Sequence, residues 1–134
     1  MKSKEDPRHL SRIIAIQTLF NSVFSKSTVF SSSDISKIDK NSNFNKKLFK
    51  TLINGVSDNN DQIYEIIKKA SLERPFSKIN TLDMQILRIA VYEGFVGKIT
   101  PPKVSIDEAI EIAKDFGDKS SDKFVSGVLG NLMK

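Results

Sequence analysis

Apolar residues recur along this chain at helical spacing, and polar punctuation divides them into six blocks. From Pro7 to about Phe24, the positions Leu10, Ile13, Ile14, Ala15, Ile16, Leu19, Phe20, Val23 and Phe24 cover more than half of a helix's circumference. That is the pattern of a helix that is mostly buried. Asp6 suits its cap and Pro7 its first turn. A second helix is predicted from about Phe44 to Val56, with Phe44, Leu48, Leu52, Ile53 and Val56 inward and Lys46, Lys47 and Lys50 in water. The polar run Ser57–Asp61 breaks it. A third follows from Gln62 to Ala70, carrying Ile63, Ile66, Ile67 and Ala70 inward until Arg74-Pro75 stops it.

The fourth pattern begins at Ile79 and Leu82, with Thr81 as cap and Asp83 near the positive end of the helix dipole. Leu82, Ile86, Ile89, Ala90 and Glu93 share one side, Leu87 and Val91 widen it, and Thr100-Pro-Pro102 closes the segment with a loop. In the fifth block, Val104–Gly117, Ser105 and Glu108 have capping-box spacing. Ile106, Ala109, Ile110, Ala113 and Phe116 line one side, and Gly117 is placed to stop the helix in a left-handed turn. The polar junction Asp118–Ser121 leads into a sixth helix, Asp122–Met133. Ser25–Asn43 is polar and serine-rich, and is read as a linker of low order without chemistry. Strand alternation and hairpin turns are absent from the pattern. The expectation is an all-α compact bundle of six to seven helices, with residues 1–134 forming one domain.

Composition narrows the chemistry. There is no cysteine and one histidine, His9, in 134 residues. Disulfides and cysteine zinc sites are excluded, and a His-rich metal site or triad is argued against, so no metal or cofactor is expected. No apolar run reaches the length needed to span a bilayer, and the N-terminus lacks a signal-like stretch; a cytoplasmic protein is expected, with no membrane contact. The formal charge of +5 permits a polyanionic partner without requiring one. Arg8 and Arg12 are four apart and fall on one face of the first helix. Asp107, Glu108, Glu111 and Asp115 read as a solvated acidic face. No nucleophile accompanies these carboxylates, so no catalytic residue is assigned. Glu93, on an apolar face, needs a buried donor, and Arg88 or a backbone amide is the expected one.

Three runs together resemble a known family. They are Asp83-Met-Gln-Ile-Leu-Arg-Ile-Ala-Val-Tyr-Glu93, Pro102-Lys-Val-Ser-Ile-Asp-Glu-Ala-Ile-Glu-Ile-Ala-Lys-Asp-Phe-Gly117 and Ser121-Asp-Lys-Phe-Val-Ser-Gly-Val-Leu129. With Ala15-Ile-Gln-Thr-Leu-Phe20 in the first helix, they resemble the NusB family of bacterial transcription antitermination factors, over about two-thirds of the chain. There are departures. Asp107 and Ser126 stand where the family usually has Asn, and the arginine run is thinned to Arg8 and Arg12, with His9 and Leu10 between them. Fewer cations release fewer counterions, which weakens RNA binding and its dependence on salt.

The resemblance implies two perpendicular three-helix halves. It also implies a non-enzymatic factor that binds boxA-type single-stranded RNA together with NusE, a small-subunit ribosomal protein. Such a factor promotes processive transcription of ribosomal RNA operons and meets the RNA polymerase elongation complex indirectly. The implied RNA-binding residues are Arg8, His9, Arg12, Gln17, Phe20, Ser120, Ser121, Lys123 and Phe124, with Asp83 on the partner surface. On this reading Phe124 stacks on an unpaired base. Ser120 and Ser121 cap the last helix and leave its first amides open to an anion. Packing or capping alone also accounts for Phe20, Ser120 and Ser121, and the dipole alone accounts for Asp83. Two other readings stand beside this one: a non-catalytic protein–protein adaptor with weakened RNA binding, and an accessory RNA-binding module for an RNA-modifying enzyme. The family fold also occurs fused to RNA methyltransferases; with the chain stopping at Lys134, no catalytic domain is expected.

Overall fold

A computed structural model describes residues 6–25 and 43–134. The predicted Ser25–Asn43 linker therefore lies almost wholly outside the described residues. The described chain forms α1 (Pro7–Ser25), α2 (Lys46–Asp58), α3 (Asn60–Ala70), α4 (Thr81–Val91), α5 (Pro102–Phe116) and α6 (Ser121–Asn131). A 3₁₀ turn at Phe76–Lys78 precedes α4, and a π-helical turn at Tyr92–Val96 extends it. There is no strand among these residues, as the pattern predicted. None of the helices among the described residues is long and apolar enough to cross a membrane.

α4 is the hub. It packs against α1, α2, α3, α5 and α6. Its sequence explains this: Met84, Gln85, Ile86, Leu87, Ile89, Ala90 and Val91 are all buried, so the helix has almost no wet side. Around it, Phe49, Leu52, Val56, Ile63, Ile67, Ala113, Val125 and Leu129 complete the core. α1 packs chiefly on α2 and α4, whereas α6 packs chiefly on α5, α4 and α3. The first and last helices are thus joined through the middle of the bundle.

Several helix ends differ from the predicted ones. α4 is capped by Asn80, whose side chain accepts from the Asp83 amide at 2.8 Å, and not by Thr81. α5 starts earlier, at Pro102, so Ser105 and Glu108 form no capping box. Proline suits a helix start because its missing N–H would be unsatisfied there anyway. The Ser105 hydroxyl donates instead to the Pro102 carbonyl at 3.1 Å. Gly117 does end α5, but in an extended conformation (φ −85°, ψ −174°) and not a left-handed one. Its requirement is space: a Cβ there would lie 2.4 Å from the Ser121 Cβ. Asp6 caps α1 as expected, accepting from the Arg8 amide at 2.9 Å.

Candidate nucleic-acid interface

The start of α1 places one cation in water and two polar groups in the interior. Arg8 is exposed, but His9 and Arg12 are 1% and 3% exposed. Arg12 is not available to a phosphate. Its Nε donates to both oxygens of Glu93 at 2.9 and 3.0 Å, Nη2 to Glu93 Oε2 at 2.7 Å, and Nη1 to Glu108 Oε1 at 2.6 Å. The Thr100 hydroxyl completes Glu93 with a bond of 2.6 Å to Oε2. Burial works to lower the Arg12 pKa, but hydrogen bonds and charge from Glu93 and Glu108 outweigh it and hold the pKa above its ordinary value.

This cluster corrects three expectations. Positions 8 and 12 share a face, but that face turns from solvent to core within one turn, so only Arg8 projects outward. Glu108 is buried and leaves the predicted solvated acidic face. Glu93 takes its donors from Arg12 and Thr100. Arg88 is spent elsewhere, on Gln85 Oε1 and Asn60 Oδ1, both at 2.7 Å. The π-helical turn holds the Glu93 backbone as well, whose carbonyl accepts from the amides of Ile99 and Thr100 at 2.9 and 3.3 Å. His9 is likewise not a surface donor: its Nδ1 lies 3.1 Å from Glu108 Oε1. Because the carboxylate can only accept, Nδ1 carries the proton.

The start of α6 is organised by Asp118 and Arg74. The Ser120 amide and hydroxyl both donate to Asp118 Oδ1, at 2.9 and 3.1 Å. Against expectation, Ser120 makes no side-chain cap to α6, and its own amide is occupied by an anion from the same chain. These bonds, the backbone one foremost, lower the Asp118 pKa. Ser121 is buried; its hydroxyl accepts from the Asp118 amide at 3.0 Å, so it is not a surface contact. Phe124 is 5% exposed, which places its ring in the core and not open to solvent. Apolar α6 turns it inward with Val125, Val128 and Leu129. Above it lies Arg74, whose Cζ is 4.1 Å from the ring centroid.

Arg74 is the residue that the sequence pattern missed. It reads there as a helix stop beside Pro75, yet it touches three parts of the junction: the Phe124 ring, Ser120 Oγ at 3.3 Å, and Asp83 Oδ2 at 3.9 Å. Its side chain keeps 30% exposure. Asp83 itself is fully buried, which removes its carboxylate from any direct partner contact. Burial is the main cause that raises the Asp83 pKa; the Ser121 hydroxyl, Arg74 and Asn80 pull against it, while the charge of Asp118 adds to it.

The remaining predicted residues fall into two places. Lys123 is exposed on the first turn of α6. Gln17 is exposed and Phe20 half-buried along an apolar groove that they share with Ile13, Ile16, Leu82 and Phe116. The starts of α1 and α6 thus stand at different points along α5. From Glu108, which holds the start of α1, to Gly117 beside the start of α6, α5 rises by about 14 Å at about 1.5 Å per residue.

These features define a class: an all-α bundle wound about one central helix, with a buried arginine–diglutamate cluster tying its first helix to its π-helical turn. Comparison with known proteins places it further. The model of the NusB family matches residues 9–134, and the chain belongs to that family. It is 33% identical over 129 residues to the transcription antitermination protein NusB of Clostridium acetobutylicum, covering 94% of each chain. It is 43% identical over 84 residues to the protein of that name from Bacillus subtilis, covering 63% of this chain and 64% of the relative. Among solved structures it is similar to T. maritima NusB, with a TM-score of 0.79, 30% identity, and coverage of 98% of this chain and 92% of the other.

Proposed function

We propose that this protein is an antitermination factor that binds boxA-like single-stranded RNA through exposed groups at the starts of α1 and α6. On this reading it acts jointly with NusE, which docks on a separate face, and catalyses no reaction. The observation that carries the RNA site is Arg74, stacked on Phe124 and still one-third open to solvent. A guanidinium backed by an aromatic ring presents a flat cationic plane, on which an unpaired base stacks. Arg8 and Lys123 supply phosphate contacts, while the Ser120 hydroxyl, which donates to Asp118, accepts from Arg74 and helps to hold it in place. Phe124 acts from beneath, as the surface that holds Arg74 flat. His9, Arg12, Ser121 and Asp83 shape this surface from within.

Two weak contacts on one assembly reinforce each other through effective concentration, so RNA and the ribosomal protein are expected to bind cooperatively. The test is a titration of boxA-like and scrambled RNA against the wild type, Arg74→Ala, and Arg8→Ala with Lys123→Ala, with and without the ribosomal protein. Weaker boxA binding by both variants, at unchanged helicity, supports the site. Equal affinity of all forms for both RNAs refutes it. The adaptor reading gains from the withdrawal of Arg12 and His9 into the core, which thins the surface cations further. Retention of the ribosomal protein without measurable RNA binding would decide for it.

A further inference from the structure

His9 has a second nitrogen. Nδ1 is fixed on Glu108, while Nε2 is buried and has no hydrogen-bond partner. A buried polar atom left unpaired is costly, and each such atom in a folded protein calls for a cause. Across the seam between α1 and α5 stand Glu111, half-buried, and Asp115, exposed, one helical turn apart. A ring nitrogen of His9 and one carboxylate oxygen from each of these residues all lie within 4.8 Å of one another. Since Nδ1 is committed to Glu108, Nε2 is the nitrogen with a lone pair to give.

We infer that His9, Glu111 and Asp115 form a binding site for a divalent transition-metal ion of the zinc class. Three observations converge on it. The donor set of one neutral imidazole and two carboxylates carries two negative charges, which balance a divalent cation. The imidazole selects zinc-like ions over magnesium and calcium, which prefer oxygen alone. The contact from Glu108 to Nδ1 is the outer-shell arrangement that fixes the tautomer and raises the basicity of a metal-bound histidine. Zinc bonds of about 2.1 Å place tetrahedral ligand atoms about 3.4 Å apart. The three groups need only close by rotation of two carboxylate side chains at the surface. Three protein ligands leave a position for water or for an outside donor.

Because His9 is the only histidine, its ring gives one set of imidazole resonances, and a tag-free chain needs no assignment. The experiment is a zinc chloride titration of the chelator-stripped full chain, followed by calorimetry and by those nitrogen resonances. A parallel titration uses magnesium chloride. Saturable binding of one zinc ion is expected, with a shift at Nε2 and no comparable response to magnesium. Loss of an outer-shell partner alone costs about 10–100-fold in metal affinity. Glu111→Gln and Asp115→Asn, each at the surface, should therefore weaken zinc at least tenfold without loss of helicity. Absence of saturable binding, equal affinity for magnesium, zinc binding that leaves Nε2 unmoved, or variants that bind like the wild type would each overturn the site.

Discussion

Arg12 closes on Glu93 through three hydrogen bonds of 2.7 to 3.0 Å, and both side chains are essentially dry. The pair joins α1 to the π-helical turn across 81 positions of sequence. Removing one member of a buried ion pair strands the charge of the other, at about 3–5 kcal/mol. Arg12→Ala removes the cation that Glu93 and Glu108 share and should cost about that much, read from urea unfolding. Arg12→Lys should recover only part of it, because an ammonium lacks the planar fork. A variant as stable as the wild type would show the cluster to be dispensable.

Arg74 should behave differently. Its contact with Phe124 is partly solvated and worth about 0.5–1 kcal/mol to the fold. Arg74→Ala should lower the melting temperature only slightly. Under the proposed RNA site it also removes a base-stacking plane, and stacking is worth about 1–3 kcal/mol per base. Affinity for boxA-like RNA should fall by roughly tenfold or more. A large stability loss with intact RNA binding would reverse the assignment.

Salt provides an independent measure. Arg8, Arg74 and Lys123 are the three cations assigned to the proposed RNA site. At about −0.7 per phosphate for single strands, the slope of log K against log salt should be about −2. Arg8→Ala should make it shallower by about 0.7. A much steeper slope would mean that other lysines of the chain carry the binding.

Asp83 predicts a pH dependence. Its folded pKa is raised, chiefly by burial, above the ordinary aspartate value that it regains on unfolding. Over the window between those two values the folded state holds the proton more tightly than the unfolded one, so stability falls as pH rises through it. Above the window the cost of a buried charge is fully present; below the ordinary value it is absent. Asp83→Asn should therefore be more stable than the wild type near neutrality, and the difference should close as pH falls through the window. Asn80 can still donate to the amide oxygen. Urea midpoints measured across pH check this, and a pH-independent difference would contradict it.

Two glycines make opposite predictions. A Cβ at Gly55 would sit 2.0 Å from the Tyr92 ring, which fills the space between α2 and the π-helical turn. Gly55→Ala should destabilise by about 1–3 kcal/mol through overpacking. At Gly127, inside α6, nothing lies within 4 Å of the added atom. Gly127→Ala should stabilise by about 0.5–1 kcal/mol, since alanine loses less backbone entropy in a helix. Thermal melts of the two variants should move in opposite directions.

Much of this molecule was legible without coordinates. All six helices lie where the apolar spacing put them, within a few residues, because helix formation is a local matter of periodicity and punctuation. Asp6 was readable as a cap, Leu87 and Val91 as widening the apolar face of α4, and the three runs of residues as marks of the family. The candidate site was read less well. Arg12, His9 and Glu108 looked like solvated groups because charge normally seeks water. The only local hint was that Glu93 sat on a largely apolar helix face.

Periodicity along the chain sets where it coils and which stripe of each helix turns inward. Which charged groups follow that stripe into the core is settled by packing in three dimensions. A buried charge is tolerated when its counter-charge arrives with it, and Arg12 finds Glu93 and Glu108 from 81 and 96 positions away. No local pattern contains such a meeting, because it exists only once α1, the π-helical turn and α5 have packed together.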